Sequence, residues 1–203
     1  MNLGSIRTHF KALLNRSDVT DALADTFIDQ GITRIQRSLR VPSMETQITY
    51  SFSALLHAIS KVTLPNNFLE VIDIYYDDKS LVRLPMREMQ QLIAKNETGS
   101  PLYFAREGGS LLLHPKPSSG TLVLNYYASF EEMTTDSSEN LLAQIASDLI
   151  IYAALTYASD YYLDERSPVF DGKYMAFMSE IQEQANDQEL TGSIQSIRPS
   201  YRL

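Results

Sequence analysis

Histidines and paired carboxylates are the residue types in this chain best suited to proton transfer or metal binding. The three histidines lie in three different predicted elements, and the two carboxylate pairs lie at predicted turns, where aspartate commonly bonds the local backbone. These residues are His9, His57, His114, Asp77-Asp78 and Asp164-Glu165. The sequence has no HExxH, GxxxxGK(S/T) or GxSxG motif and no cysteine. It therefore predicts a protein that is not an enzyme and uses no cofactor or metal.

The net charge of −8 is unevenly distributed along the 203 residues. Residues 1–128 are nearly balanced, whereas residues 129–190 contain 13 acidic and 2 basic residues, and the last 13 residues contain two arginines and no acid. An acidic block of this kind argues against sequence-specific binding of nucleic acid, which needs cations to meet the phosphates. The absence of cysteine fits synthesis in a reducing cytoplasm, and the N-terminus lacks the features of a signal peptide.

The spacing of apolar residues predicts an α+β fold. Helices are expected at about residues 5–14, 18–39, 85–95, 141–163 and 168–189. Strands are expected at about 47–52, 61–64, 70–76, 81–84, 102–106, 111–114 and 121–127. Helices therefore stand at both ends, and an antiparallel β meander or sandwich is inserted between them. The expected body spans 1–189, with a helical part at about 1–41 and 138–189 and a β part at about 44–130. Residues 190–203 are expected to form an extended C-terminal arm.

Residues 141–163, LLAQIASDLIIYAALTYASDYYL, predict one long central helix. Its apolar residues surround the helix and do not keep to one stripe, which is typical of a helix buried in an interior. A bilayer span needs about 20 apolar residues, and Asp148 and Asp160 interrupt this segment. We therefore predict that the other helices wrap around this one and that no segment crosses a membrane. Its alanines allow close approach of neighbouring helices.

Three arginines, Arg34, Arg37 and Arg40, lie three residues apart near the end of the second predicted helix. One interpretation is a solvated helix face whose positive charge suits the C-terminal end of the helix dipole. The other is a docking stripe for the carboxylates of a partner. The sequence alone leaves both open.

The order of several short phrases resembles the head-to-tail adaptor, or connector, proteins of tailed bacteriophages. Two N-terminal helices precede LPNNFLEV at residues 64–71, and GSPLYF at 99–104 follows a strand pair and a helix. The pattern continues with GSLLLHPKP at 109–117 and a strand that ends in NYY at 125–127, and it closes with an alanine- and tyrosine-rich helix. The resemblance covers roughly residues 5–185.

This resemblance implies a structural protein of the virion, made in the host cytoplasm and located at the head–tail junction. Such adaptors form a ring, usually of twelve copies, that joins the portal protein to the next tail protein. The ring leaves a channel through which genomic DNA passes without sequence-specific binding. The family's C-terminal segments commonly reach the portal, which would make residues 190–203 a portal-binding arm. Its apolar and basic side chains are Ile194, Ile197, Arg198, Tyr201 and Leu203.

An acidic helix beside such a channel would repel phosphates and let DNA slide. We consider this role for Glu180, Glu183, Asp187 and Glu189. An equally good interpretation is that these residues lie on an outer, solvated surface of the protein. Two other functions also remain open at this point. One is a soluble, non-enzymatic binding or regulatory module, and the other is a hydrolase, which would require a buried carboxylate pair in a deep pocket.

Overall fold

The α+β class predicted from the sequence is confirmed by a computed structural model, which describes residues 1–53 and 60–190, with side chains through residue 187. Contacts divide the chain into two units: a helical unit formed by residues 1–43 and the chain from residue 130, and a β unit formed by residues 44–129. The described residues contain six α-helices: α1 Leu3–Leu14, α2 Asp21–Ser38, α3 Met86–Ile93, α4 Leu141–Ile145, α5 Ser147–Tyr161 and α6 Ser167–Leu190.

The ends of α1 and α2 follow from local side-chain chemistry. Asn2 caps α1 by accepting a hydrogen bond from the Ser5 amide at 3.0 Å, and Asn15 ends it in the left-handed conformation. Thr20 caps α2 through the Leu23 amide at 3.2 Å. The sequence favours Ser17 or Asp18 for this cap, so the helix begins later than predicted. Asp21 in the first turn adds a favourable charge at the positive end of the helix dipole.

The single central helix predicted for residues 141–163 is not confirmed. The segment forms two helices, α4 and α5, separated at Ala146, whose φ of −147° and ψ of 52° are not helical. The break precedes Ser147 and Asp148, residue types that favour a helix N-terminus. None of the helices in the described residues is long and apolar enough to cross a membrane.

Helix α5 is nevertheless the buried centre of the helical unit. It packs against α1, α2, α4 and α6. The buried residues of α5 are aliphatic except for one serine. They are Leu149, Ile150, Ile151, Ala153, Ala154, Leu155, Ala158 and Ser159. The α2 contact is close at Gly31, where an added Cβ would lie 2.9 Å from the Ala154 amide nitrogen and 3.1 Å from the Ala153 Cβ. The small residues of both helices therefore set the distance between them.

The β unit contains two four-stranded sheets with strand orders β1-β8-β3-β4 and β2-β7-β6-β5. The strands are β1 Glu45–Phe52, β2 Lys61–Thr63, β3 Phe68–Tyr76, β4 Lys79–Ser80, β5 Val82–Arg83, β6 Tyr103–Glu107, β7 Ser110–His114 and β8 Gly120–Ala128. All strand pairs are antiparallel except β5 with β6. Because β8 lies between β1 and β3, the first sheet is not a simple meander.

One apolar core is shared by both sheets, which gives the β unit a sandwich arrangement. Its buried residues are Val62, Leu64, Ile74, Tyr76, Leu81, Phe104, Leu111, Leu113, Leu122, Leu124 and Tyr126. The alternation of side chains along β6 and β7 turns Ala105 and Leu112 to the opposite face, where they pack against Met89 of α3. Each face of the second sheet therefore contributes to a different cluster.

We predict that Gly31→Ala destabilises the helical unit, although alanine is the better helix former. The added methyl group would press on the backbone of α5, and overpacking of this kind costs about 1–3 kcal/mol. Gly172→Ala in α6 is the matched control, because nothing lies within 4 Å of its added Cβ and alanine there should stabilise by up to about 1 kcal/mol. Urea unfolding of both variants measures the difference. Equal stabilisation by the two substitutions would contradict the close contact.

Candidate assembly surfaces

The residue types that could support catalysis do not converge in the part of the chain that the structure describes. His9 is exposed on α1, and His114 is buried in β7 with its Nε2 3.5 Å from Glu97 Oε2. His57 lies outside the described residues. No group of three or more histidine, aspartate or glutamate side chains among the described residues could hold a metal ion. Nor does any buried side-chain nitrogen or oxygen there lack a hydrogen-bond partner.

The carboxylate pairs serve the turns in which they lie. Asp77 and Asp78 have φ values of 44° and 65° and join β3 to β4, which is the hairpin geometry that their sequence predicts. Asp164 is paired with Arg166. An open depression of about 460 Å³ in the helical unit is lined by Asp160 and Asp171 among others, but Asp160 is exposed and Arg34 binds Asp171. The hydrolase alternative therefore gains no support.

The three arginines predicted to form a stripe are engaged differently. Arg34 donates to Asp171 Oδ1 at 2.9 Å and to Thr156 Oγ1 at 3.0 Å, and its guanidinium lies 4.1 Å from the centre of the Tyr174 ring. It thus links α2 to α5 and α6. Arg40 donates to the carbonyl of Leu39, whereas Arg37 is exposed. Docking of a partner's carboxylates remains a prediction that now concerns Arg37 most directly.

The acidic residues singled out in α6 occupy one exposed face. Glu180, Glu183 and Asp187 are exposed and follow the i, i+3, i+7 spacing of one helix side. Glu183 accepts a hydrogen bond from Ser179 Oγ at 3.1 Å. The backbone of Glu189 continues the same helix. The predicted arm residues Ile194, Ile197, Arg198, Tyr201 and Leu203 lie outside the described residues.

Large apolar side chains are exposed at both ends of α1. At its N-terminal end, the Met1 ammonium donates to the carbonyl of Ala143 at 2.9 Å, so α4 lies beside this end of α1. The α4 side chains of Leu141 and Ile145 are 39% and 53% exposed. We call these two residues the α4 patch. At the other end, Arg166 donates to the carbonyls of Leu13 and Leu14, which brings the α5–α6 turn here.

The second group, which we call the turn patch, consists of Leu13, Tyr161 and Leu163. Tyr161 contacts Phe27 and Tyr162 edge to face, with ring centres 5.6 and 4.8 Å apart. Because α1 has 12 residues and rises 1.5 Å per residue, the two patches are separated along it by about 17 Å. The helical unit therefore carries two unlike apolar patches at opposite ends of one helix.

Leu163 is an unusual residue for its position. The amide of Asp164 donates to the Ser159 carbonyl at 2.8 Å and that of Leu163 to the Asp160 carbonyl at 3.2 Å. This pair of bonds forms a Schellman motif, whose left-handed position is usually glycine. Here a leucine adopts φ 52° and is 88% exposed. A β-carbon in this conformation costs about 1–2 kcal/mol, so the turn presents an apolar side chain to solvent at the expense of stability.

Arg166 holds this turn in place. Its Nε and Nη2 bind the two oxygens of Asp164 at 3.0 and 2.6 Å, and its other bonds cap the C-terminal end of α1. The pKa of Asp164 is lowered to about 2, mainly by the bonds from the Arg166 side chain and secondarily by the bond from the Arg166 amide. The sequence predicted the turn, but it had no signal for the left-handed leucine or for the contact of Arg166 with α1. Sequence reasoning therefore missed Leu163 and Arg166.

The helical unit of this α+β chain has unlike apolar patches at opposite ends, and the described residues contain no assembled catalytic or metal site. These are the properties of a structural assembly protein. The sequence model of the SU10 adaptor protein family matches residues 1–198. The chain belongs to this family of phage head–tail adaptors. No curated protein matches the sequence.

The family assignment confirms the resemblance and extends it beyond residues 5–185. It gives the protein a structural role as a component of the virion at the head–tail junction. It also implies interaction with the portal and tail proteins of the phage. Proteins of this family are typically not enzymes.

We predict that Asp164 titrates near pH 2 and that Arg166→Gln moves its pKa back towards the ordinary value of 3.8. Because the folded-state pKa is lowered, the ion pair stabilises the turn fully above pH 4 and loses this effect as the pH falls towards 2. NMR titration of the aspartate carboxyl carbons measures the shift. Asp21, whose pKa is lowered by Lys11, is the internal control and should not change. An ordinary pKa for Asp164 in the unmodified protein would contradict the ion pair.

Proposed function

We propose that this adaptor forms a ring of twelve copies that joins the portal to the tail and leaves a channel for the passage of DNA. The observation that carries the proposal is the pair of unlike patches at opposite ends of α1. A contact between two different surfaces repeats from one copy to the next and gives a ring when the rotation closes. We propose that the turn patch of one copy packs on the α4 patch of its neighbour.

The strained conformation of Leu163 supports a contact at the turn patch. Burial of a leucine side chain is worth about 1.5–3 kcal/mol, which is similar to or greater than the cost of about 1–2 kcal/mol of its left-handed conformation. A free subunit bears that cost without the benefit, whereas an assembled subunit would gain both the burial and a fixed turn. Backbone strain at an exposed apolar residue therefore favours assembly over the alternative of a monomeric binding module.

The acidic face of α6 would suit the border of the channel. The sequence from 179 to 190 contains no basic residue and four acidic residues, namely Glu180, Glu183, Asp187 and Glu189. Their negative charge would repel phosphates and keep DNA from adhering. This repulsion requires the carboxylates to lie within about 8 Å of the lumen at physiological salt. An assembled ring that carries them on its outer surface would contradict this part of the proposal.

Two further contacts complete the proposed function. Residues 190–203 would serve as an arm that binds the portal through Ile194, Ile197, Tyr201 and Leu203, with Arg198 as a cation for acidic groups. On the helical unit, the exposed Arg37 would bind a carboxylate of a neighbouring protein. Arg34 would hold the surrounding helices in place, because its guanidinium is bound to Asp171.

We predict that Leu163→Gly stabilises the free subunit by up to about 1 kcal/mol, because glycine adopts the left-handed conformation without strain. The same variant should assemble at least about tenfold more weakly, because the buried leucine is lost. Thermal unfolding measures the first effect, and sedimentation of the protein alone and with assembled portal measures the second. Asp78→Gly, at another exposed position with positive φ, is the control and should leave assembly unchanged. Normal assembly of Leu163→Gly would remove the turn patch from the interface.

Removal of residues 191–203 should leave the body folded but abolish attachment to the portal. The deletion begins after Leu190, where α6 ends, so the helices keep their contacts. Circular dichroism checks the fold, and co-sedimentation with assembled portal checks the attachment. Replacement of Ile194, Ile197 and Tyr201 by serine in the full chain is the companion variant and should have the same effect. A truncated protein that still attaches would show that the arm is not the anchor.

A further inference from the structure

Two arginines of the β unit line one open depression of about 350 Å³, together with Leu84, Pro85 and Met86. Arg83 belongs to β5 and Arg106 to β6, which run parallel and next to each other. Both side chains are exposed. We call this depression the arginine pocket. Two guanidinium groups that share a pocket repel each other unless an anion lies between them.

Neither guanidinium has a carboxylate partner within the described residues. Arg106 donates to the Gly108 carbonyl at 3.3 Å and lies 5.0 Å from the centre of the Phe68 ring. Arg83 forms no hydrogen bond or ion pair with the residues that the structure describes. By contrast, four other arginines are paired with acids of the same chain, namely Arg7, Arg16, Arg34 and Arg166. What distinguishes the arginine pocket is that two arginines without an acid partner line the same depression.

The surroundings of the pocket favour a protein carboxylate over a nucleic-acid phosphate. Apart from the two arginines, the residues that line it are apolar, namely Leu84, Pro85 and Met86. An apolar surface beside two cations is typical of a protein interface, in which arginine and apolar groups occur together. The net charge of −8 also opposes phosphate binding.

The helical unit presents a matching pair of acids. Asp29 of α2 and Glu132 are both exposed, and neither forms an ion pair with the described residues. Asp25 lies close to them but is held by Arg7 through two bonds of 2.7 and 2.9 Å. The carboxyl group of Asp29 is partly desolvated by its neighbours, and this effect, followed by repulsion from Asp25 and Glu132, raises its pKa. The isolated chain therefore has an uncompensated negative surface here.

We propose that the arginine pocket of one copy binds Asp29 and Glu132 of the next copy in the assembled ring. This inference rests on the proposed ring and names a contact within it. The two surfaces are unlike, as a repeating head-to-tail contact requires. Each copy donates one surface and accepts the other, so all four charged groups are neutralised only after assembly. Complementary charges of this kind fix the register of an interface and exclude wrong partners.

Charge reversal tests the contact with two double variants. The first is Arg83→Glu with Arg106→Glu, and the second is Asp29→Arg with Glu132→Arg. Each variant alone places like charges opposite each other, and the concentration needed for assembly should rise at least about tenfold. An equimolar mixture should restore assembly, because alternating copies make every contact complementary. Native mass spectrometry should find rings with an even number of subunits and equal amounts of both variants.

Matched controls carry the same charge changes elsewhere. Lys79→Glu with Lys95→Glu alters exposed residues of the β unit outside the pocket, and Glu45→Arg with Glu88→Arg alters exposed acids of the same unit that belong to none of the proposed contacts. Both should assemble on their own like the unmodified protein, and circular dichroism should find all variants folded.

The possible results separate this contact from the ring itself. Normal assembly of either reversed variant, or a mixture that stays unassembled, would overturn the inference and leave the proposed function in place. Rings of the first variant that have lost only portal attachment would also overturn it and assign the pocket to the portal. If the unmodified protein forms no ring with or without assembled portal, the proposed function fails and this contact fails with it.

Discussion

The close contact between α2 and α5 is the constraint on which the helical unit depends. Gly31 brings the backbone of α2 next to Ala153 and Ala154, and α1, α4 and α6 pack around the same helix. A helix that is covered on all sides needs small residues where its neighbours come closest, since a packed interior has no space for an additional methyl group. The same packing supports α1, which contacts α5 and carries one patch at each of its ends.

Several surface features are unfavourable for a subunit on its own. Leu163 combines a left-handed backbone with nearly full exposure, and Arg83 and Arg106 share a pocket without an acid. Partial desolvation and the charges of Asp25 and Glu132 disfavour the ionised form of Asp29. The family to which the chain belongs provides a common explanation, because an adaptor works between other virion proteins. In our proposal each of these groups obtains its partner in the assembled junction. The free subunit is therefore less stable than it would be with residues chosen for the stability of the monomer.

Local structure could be predicted from the sequence where one residue type determines it. Asp77-Asp78 indicated the hairpin because aspartate tolerates positive φ, and the run of apolar and aromatic residues in 121–127 indicated β8 because such residues favour strands. The break at Ala146 could not be predicted, since alanine is the best helix former. The strand order was also beyond reach, because β8 pairs with β1 and β3, which are far away along the chain. For the site, the acids and arginines could be named, but their partners could not.

The sequence by itself determined the α+β class, the acidic second half, the buried character of the segment 141–163, most of which forms α5, and the resemblance to phage adaptors. These properties follow from composition, periodicity and local phrases, which do not require knowledge of distant contacts. Only the tertiary structure decided that Arg34 is bound within the body, that Arg166 joins the turn to α1, and that Leu163 stands exposed in a left-handed conformation. Each of these results depends on residues that are separated in the chain or on a backbone angle, and neither is encoded by residue type alone.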